Sequence, residues 1–192
     1  MGTRGSIGFR IDGKDYLAYN HSDSYPSGLG TEFVAEVKKL IKDKKLAEKV
    51  RAIRLVKRGD KPTPADVEKL KPYTDLGVGN QSTSDWYCLL RNAQGSLKAT
   101  IDSGYILDNA TFIHDSLFCE YAYILNLDTG NVEFYKGFNK DRKAAGRYAA
   151  IESKDRDGKF EEYCGCVLAA EFPANAIPKD WEKKAFPPEK DE

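Results

Sequence analysis

The sequence predicts an α+β domain in which helices cover a mostly antiparallel sheet. Three observations point there. The chain opens with a period-two hairpin, passes through a stretch of helical spacings, and returns to period two after residue 117. A chain of 192 residues can bury one substantial core, so residues 1–192 are read as a single domain. Within it a helical segment, about 31–101, is inserted between the N-terminal hairpin and a C-terminal meander, and a tail follows over 187–192.

In the hairpin, Ile7, Phe9 and Ile11 alternate with smaller or polar residues, Asp12-Gly13 supplies the turn, and Tyr16, Ala18 and Asn20 alternate on the return. Gly5 and Gly8 leave room for a close approach of another backbone. Residues 20–30 are dense in turn formers and read as a loop. Thr31 and Glu32 then suit a helix start, with Phe33, Val37, Leu40 and Ile41 on one face, and Leu46, Val50 and Ile53 continue that period as a second helix or kinked extension. Thr63-Pro64-Ala65-Asp66 begins another helix and Pro72 ends it. A glycine-rich loop over 77–81 leads to a short helix near Ser84 that carries Trp86, Leu89 and Leu90, and residues 96–101 add further helical turns.

Residues 117–125 alternate as a strand, Asp128-Thr129-Gly130-Asn131 turns it, and Val132–Phe138 returns. Another strand is expected near Tyr148–Glu152, then a turn at Asp155-Arg156-Asp157-Gly158 into one long strand over Phe160–Phe172. Trp181 is expected to pin a final short helix to the body.

Composition narrows the classes. The 11 Tyr, 9 Phe and 2 Trp argue against disorder, and no apolar run approaches the roughly 20 residues of a membrane helix. The N-terminus lacks the apolar core of a secretory signal, and the spacing of Cys88, Cys119, Cys164 and Cys166 is not that of a small secreted disulfide framework, so a soluble cytoplasmic protein with no membrane partner is expected. Zero net charge hides an asymmetry: residues 38–61 hold 11 Lys or Arg against 3 Asp or Glu, a local charge of +8. Basic helices of this kind either face solvent or meet an anionic partner such as a nucleic acid.

The densest polar cluster is Tyr19-Asn20-His21-Ser22-Asp23-Ser24-Tyr25, where an imidazole, a carboxylate, an amide and several hydroxyls leave the end of a strand together. Such a set suits general-base or hydrogen-bonding chemistry, and it also suits an Asx-type turn. Residues 77–84, a glycine loop entering a helix, suit an anion through backbone N–H groups, but the Gly-Lys-Ser/Thr ending of a nucleotide loop is absent, and the stretch also reads as a plain capped loop. Cys119, Cys164, Cys166 and His114 have the chemistry of zinc ligands, but one residue between two strand cysteines fits zinc poorly, and core thiols are the reading adopted. No metal and no cofactor is expected.

Taken together, the short N-terminal strand, the hairpin and the Asn- and Asp-bearing loop resemble the N-terminal nucleophile (Ntn) hydrolases, nearest the cholylglycine hydrolase and penicillin V acylase group. The stretches that carry the likeness are Met1-Gly2-Thr3, Tyr19-Asn20-His21-Ser22-Asp23 and Gly77-Val78-Gly79-Asn80-Gln81, with Tyr19 where that group has Arg and Gln81 where it has Glu. The resemblance implies an αββα sandwich and hydrolysis of a carbon–nitrogen amide bond. Its candidate catalytic residues are Thr3, Asn20, His21, Asp23 and Asn80, and the ligand would meet Arg4, Ser24, Tyr25, Gly77, Gly79 and Gln81. Lacking a nucleophile clearly paired with His21, the sequence favours a non-catalytic protein that binds a small polar or anionic ligand, or a protein partner, through the 20–25 and 77–84 loops. Ntn-type amide hydrolysis and nucleic-acid binding through residues 38–61 are the alternatives.

Overall fold

A computed structural model describes residues 2–154 and 158–188. Its centre is a five-stranded sheet in the order β2-β1-β5-β6-β9, built from β1 (Gly5–Ile11), β2 (Lys14–Asn20), β5 (Tyr121–Asn126), β6 (Asn131–Lys136) and β9 (Val167–Pro173). The hairpin pairs Gly5 with Asn20 and Ile11 with Lys14, as its alternation requires. Three of the four pairings in the sheet are antiparallel, whereas β1 lies parallel to β5. That departure from a pure meander comes from the long excursion after β2, which returns the chain to the free edge of β1.

Both faces of the sheet are covered. Ile7, Phe9, Tyr123, Leu125, Val132 and Phe134 meet Phe33 and Val37 of α1 (Thr31–Leu40), Val50 of α2 (Leu46–Arg51), Leu97 of α5 (Leu97–Ser103) and Trp181 of α6 (Trp181–Ala185). Trp181 stacks on Phe134 with ring centroids 4.9 Å apart, so α6 is pinned as expected. On the opposite face Leu17, Ala122, Ile124 and Tyr135 pack on Ile113, Cys119, Tyr148 and Cys166. Strands buried on both faces carry few polar residues, which is why Tyr121–Leu125 reads as a nearly continuous apolar run.

A smaller third core lies beside the sheet. Here β3 (Arg54–Val56) pairs parallel with β4 (Tyr105–Leu107), and Val56, Leu70, Trp86, Leu89 and Leu107 close it with α3 (Pro64–Leu70) and α4 (Trp86–Leu89). The helix expected at Thr63 forms, and Thr63 and Asp66 make a reciprocal capping box.

Several expectations are corrected by tertiary pairing. Residues 54–56 of the basic segment form a strand, because Val56 is drawn into the third core and the backbone finds partners on β4. Residues 117–120 turn, with the Cys119 N–H donating to the Asp115 carbonyl, and the strand begins at Tyr121. Residues 148–151 also turn, so β7 (Glu152–Lys154) starts late. The long strand breaks at Gly165: β8 (Phe160–Cys164) pairs with β7 while β9 pairs with β6, so Cys164 and Cys166 do not share one strand face. The turn proposed at 155–158 falls mostly outside the described residues, as does the end of the tail. The architecture is a helix-flanked, antiparallel-dominant α+β fold, and the other two ribbons among the described residues have two strands each.

Candidate functional site

The N-terminal strand lies inside the sheet, between β2 and β5, and begins against the polar loop. The Ser24 N–H donates to the Thr3 carbonyl at 3.1 Å, and Arg4 donates its N–H to Glu120. Asn20 Nδ2 donates to the Ser22 carbonyl and, at 2.8 Å, to Ser24 Oγ, which closes the loop as a tight turn. Ser24 is fully buried, with its carbonyl accepting from the Tyr123 hydroxyl, so this residue fastens the loop to the sheet. Burial pushes the Tyr123 phenol well above its ordinary range and keeps it a neutral donor. Asp23 sits exposed at φ 56, a left-handed conformation that Asp tolerates, and Tyr25 is 40% exposed at the loop edge.

The second loop folds back on the start of α4. Asp85 caps that helix by accepting from the Tyr87 N–H at 2.9 Å, and its other oxygen accepts from the Asn80 N–H at 3.1 Å. Gly79 has φ 55, and a Cβ there would lie 2.8 Å from Asp85 Oδ2, so glycine relieves both backbone strain and crowding. The Gly77 N–H donates to Asp75 and the Gln81 N–H to the Val78 carbonyl. These three donors are engaged within the loop itself. Gly77 and Gln81 are exposed, away from the cavity that Gly79 and Asn80 border.

The two loops do not converge on one pocket. They border two separate cavities, Tyr19, Gly79 and Asn80 lining one and Asn20, Ser22 and Asp23 the other. The first, about 430 Å³, is lined by Tyr19, Arg58, Gly79, Asn80, Asp85, Tyr87, Asn109 and Phe112. Tyr19 stands on the last turn-facing end of β2, edge-on to Phe112 at 5.0 Å, and its hydroxyl meets His21 Nδ1 at 2.8 Å. Burial pushes the Tyr19 phenol up, and the charges of Arg4 and Arg91 pull against that shift. Arg4 also lies over the Phe118 ring at 4.8 Å. Arg58 follows β3 and makes no ion pair among the described residues. The lone carboxylate, Asp85, is occupied by two backbone N–H groups. One cation, Arg58, and one carboxylate, already engaged by backbone donors, therefore stand among three aromatic rings and two amides. Asn20, Ser22 and Asp23 border the second cavity with Gln94, Gly95 and Ser96.

Sequence reasoning missed Arg58, Tyr87, Asn109 and Phe112 as cavity walls. Arg58 was submerged in the basic run, and Asn109 and Phe112 lie in a connection without periodicity. What places Asn109 is a tertiary bond, its N–H to the Leu17 carbonyl at 3.1 Å, which local pattern does not show. Among the described residues no group of three His, Cys, Asp or Glu side chains is placed to hold a metal ion, and no helix is long and apolar enough to cross a membrane. Comparison with protein-family models, with curated proteins and with solved structures gave no match.

Proposed function

We propose that the protein binds a small anionic ligand with a planar ring in the cavity between Tyr19 and the Gly79–Asn80 loop. The supporting observation is Arg58, without an ion pair among the described residues, lining one cavity with Tyr19, Tyr87 and Phe112 and with Asn80 and Asn109. Guanidinium groups recognise phosphate and carboxylate through paired donors, and aromatic walls favour a planar ligand. Titration calorimetry with phenyl phosphate tests this. A saturable one-to-one isotherm is expected, weakened about tenfold in Arg58→Ala, equivalent to about 1.4 kcal/mol. Absence of heat, or an isotherm indifferent to Arg58→Ala, contradicts it.

A second reading is favoured by the unpaired charge on the basic segment. Lys49, Arg51 and Arg54 pair with Asp43, Asp12 and Asp66, while Lys38, Lys39, Lys42, Lys44, Lys45, Lys57, Arg58 and Lys61 have no ion pair among the described residues. A nucleic acid bound there would be lost steeply as salt rises. Ntn-type amide hydrolysis keeps one support, the approach of the Asn20–Ser24 turn to Thr3, and requires Thr3 at the mature N-terminus, which mass spectrometry reads directly.

A further inference from the structure

Asn109 is held rigidly on the wall of the Tyr19 cavity. Its N–H donates to the Leu17 carbonyl of β2 at 3.1 Å, and its carbonyl accepts from the Phe112 N–H at 2.9 Å. One proton of Nδ2 goes to the Leu107 carbonyl, also at 2.9 Å. These bonds tie the residue to β2 and to the turn that presents the Phe112 ring. Because that ring meets Tyr19 edge-on at 5.0 Å, the amide and both rings keep a preset arrangement before any ligand arrives.

What is left of the Asn109 amide is Oδ1 and the second proton on Nδ2. Asn109 is half-buried, and its Oδ1 accepts no hydrogen bond among the described residues while staying open to solvent. An acceptor and a donor side by side on one amide edge complement a ring that carries an amino group next to a ring nitrogen. A phenyl ring has no such edge, whereas an amino-bearing nucleobase does. The cavity, about 430 Å³, is within the range of small-molecule sites and has room for a sugar between ring and phosphate. Arg58 is its one lining cation, which matches a single phosphate better than the repeated phosphates of a strand.

We propose that the ligand is a free nucleoside monophosphate and that Asn109 determines its specificity. Asn109 Oδ1 accepts from the exocyclic amine of the base, and the remaining Nδ2 proton goes to the neighbouring ring nitrogen. Tyr19, Tyr87 and Phe112 wall the base, and Arg58 meets the phosphate. This rests on the reading of the cavity as an anion site and adds the base to it.

Calorimetry on the full chain tests it with three probes: adenosine 5′-monophosphate, purine riboside 5′-monophosphate, which lacks the amine, and phenyl phosphate. Adenosine monophosphate is expected to bind at least about tenfold more tightly than either of the others. In Asn109→Ala its affinity should fall to that of the purine riboside compound. The phenyl phosphate isotherm should be unchanged in that variant, and it also reports that the cavity is still folded. Equal affinity of the native chain for the two nucleotides overturns the proposal. So does an Asn109→Ala loss shared equally by phenyl phosphate, or tighter binding of tetra-adenylate than of the mononucleotide. When phenyl phosphate binds and the amine adds nothing, the base assignment falls alone; when phenyl phosphate gives no isotherm, the anion reading falls with it.

Discussion

Asp66 shows how much one short side chain can organise. Although only 3% exposed, its carboxylate accepts from the Thr63 N–H at 2.9 Å, the Tyr105 hydroxyl at 2.7 Å and Arg54 at 3.0 Å. The hydrogen bond from the Thr63 backbone leads in holding its carboxyl below the usual range, against the cost of burial. Asp66→Ala removes the carboxylate half of the capping box and strands a buried phenol, so a loss of about 2–3 kcal/mol in denaturant unfolding is expected. The same group sets a pH response. Because its folded pKa lies below the unfolded value, its stabilisation is full at neutral pH and is lost as pH falls below about 4. The acid limb of the stability profile should therefore flatten in Asp66→Ala. Glu133 tells a similar story on the sheet. It is 2% exposed and held by Arg147, Tyr135 and Asn126. Arg147→Met leaves that carboxylate unpaired, with an expected cost of about 3–5 kcal/mol. The capping box was legible in the sequence as Thr63-Pro64-Ala65-Asp66. Its partner Tyr105, 39 positions away, was not, because no local pattern encodes a tertiary hydrogen bond.

Among the elements, β1 places the most demands on its sequence. It is sandwiched between β2 and β5, and a Cβ on Gly8 would stand 1.9 Å from the Tyr16 carbonyl oxygen. Gly8→Ala forces the two strands apart and should cost about 3 kcal/mol or more, seen as a lowered midpoint in thermal unfolding. At the other end, Trp181→Ala strips α6 of its stack on Phe134 and should cost about 3–5 kcal/mol. The opening hairpin and most helices were legible because each satisfies its own period and turn chemistry. The parallel partner of β1 and the break at Gly165 were not. One depends on where a hundred-residue excursion returns, and the other on the Tyr148 backbone, 2.1 Å from a Gly165 Cβ, pressing against the strand.

Across the whole molecule, charge is unevenly placed. The neutral chain carries an aromatic-walled cavity edged by Arg58, a separate polar groove bordered by Asp23 and Glu32, and a local excess of basic residues over 38–61. The polar density of residues 19–25 drew attention in the sequence to residues that line the cavities, Tyr19 in one and Asn20, Ser22 and Asp23 in the other. Their far walls, Arg58 and Phe112 on one side and Gln94 on the other, come from distant segments and had no signature. The central claim is that anions bind beside Tyr19 rather than along the basic face. Nitrogen-15 correlation spectra recorded during a phenyl phosphate titration test it most directly. The account predicts saturable shifts clustered at Gly79, Asn80, Tyr87 and Asn109. Shifts confined to Lys38–Lys49, or none that saturate, would contradict it.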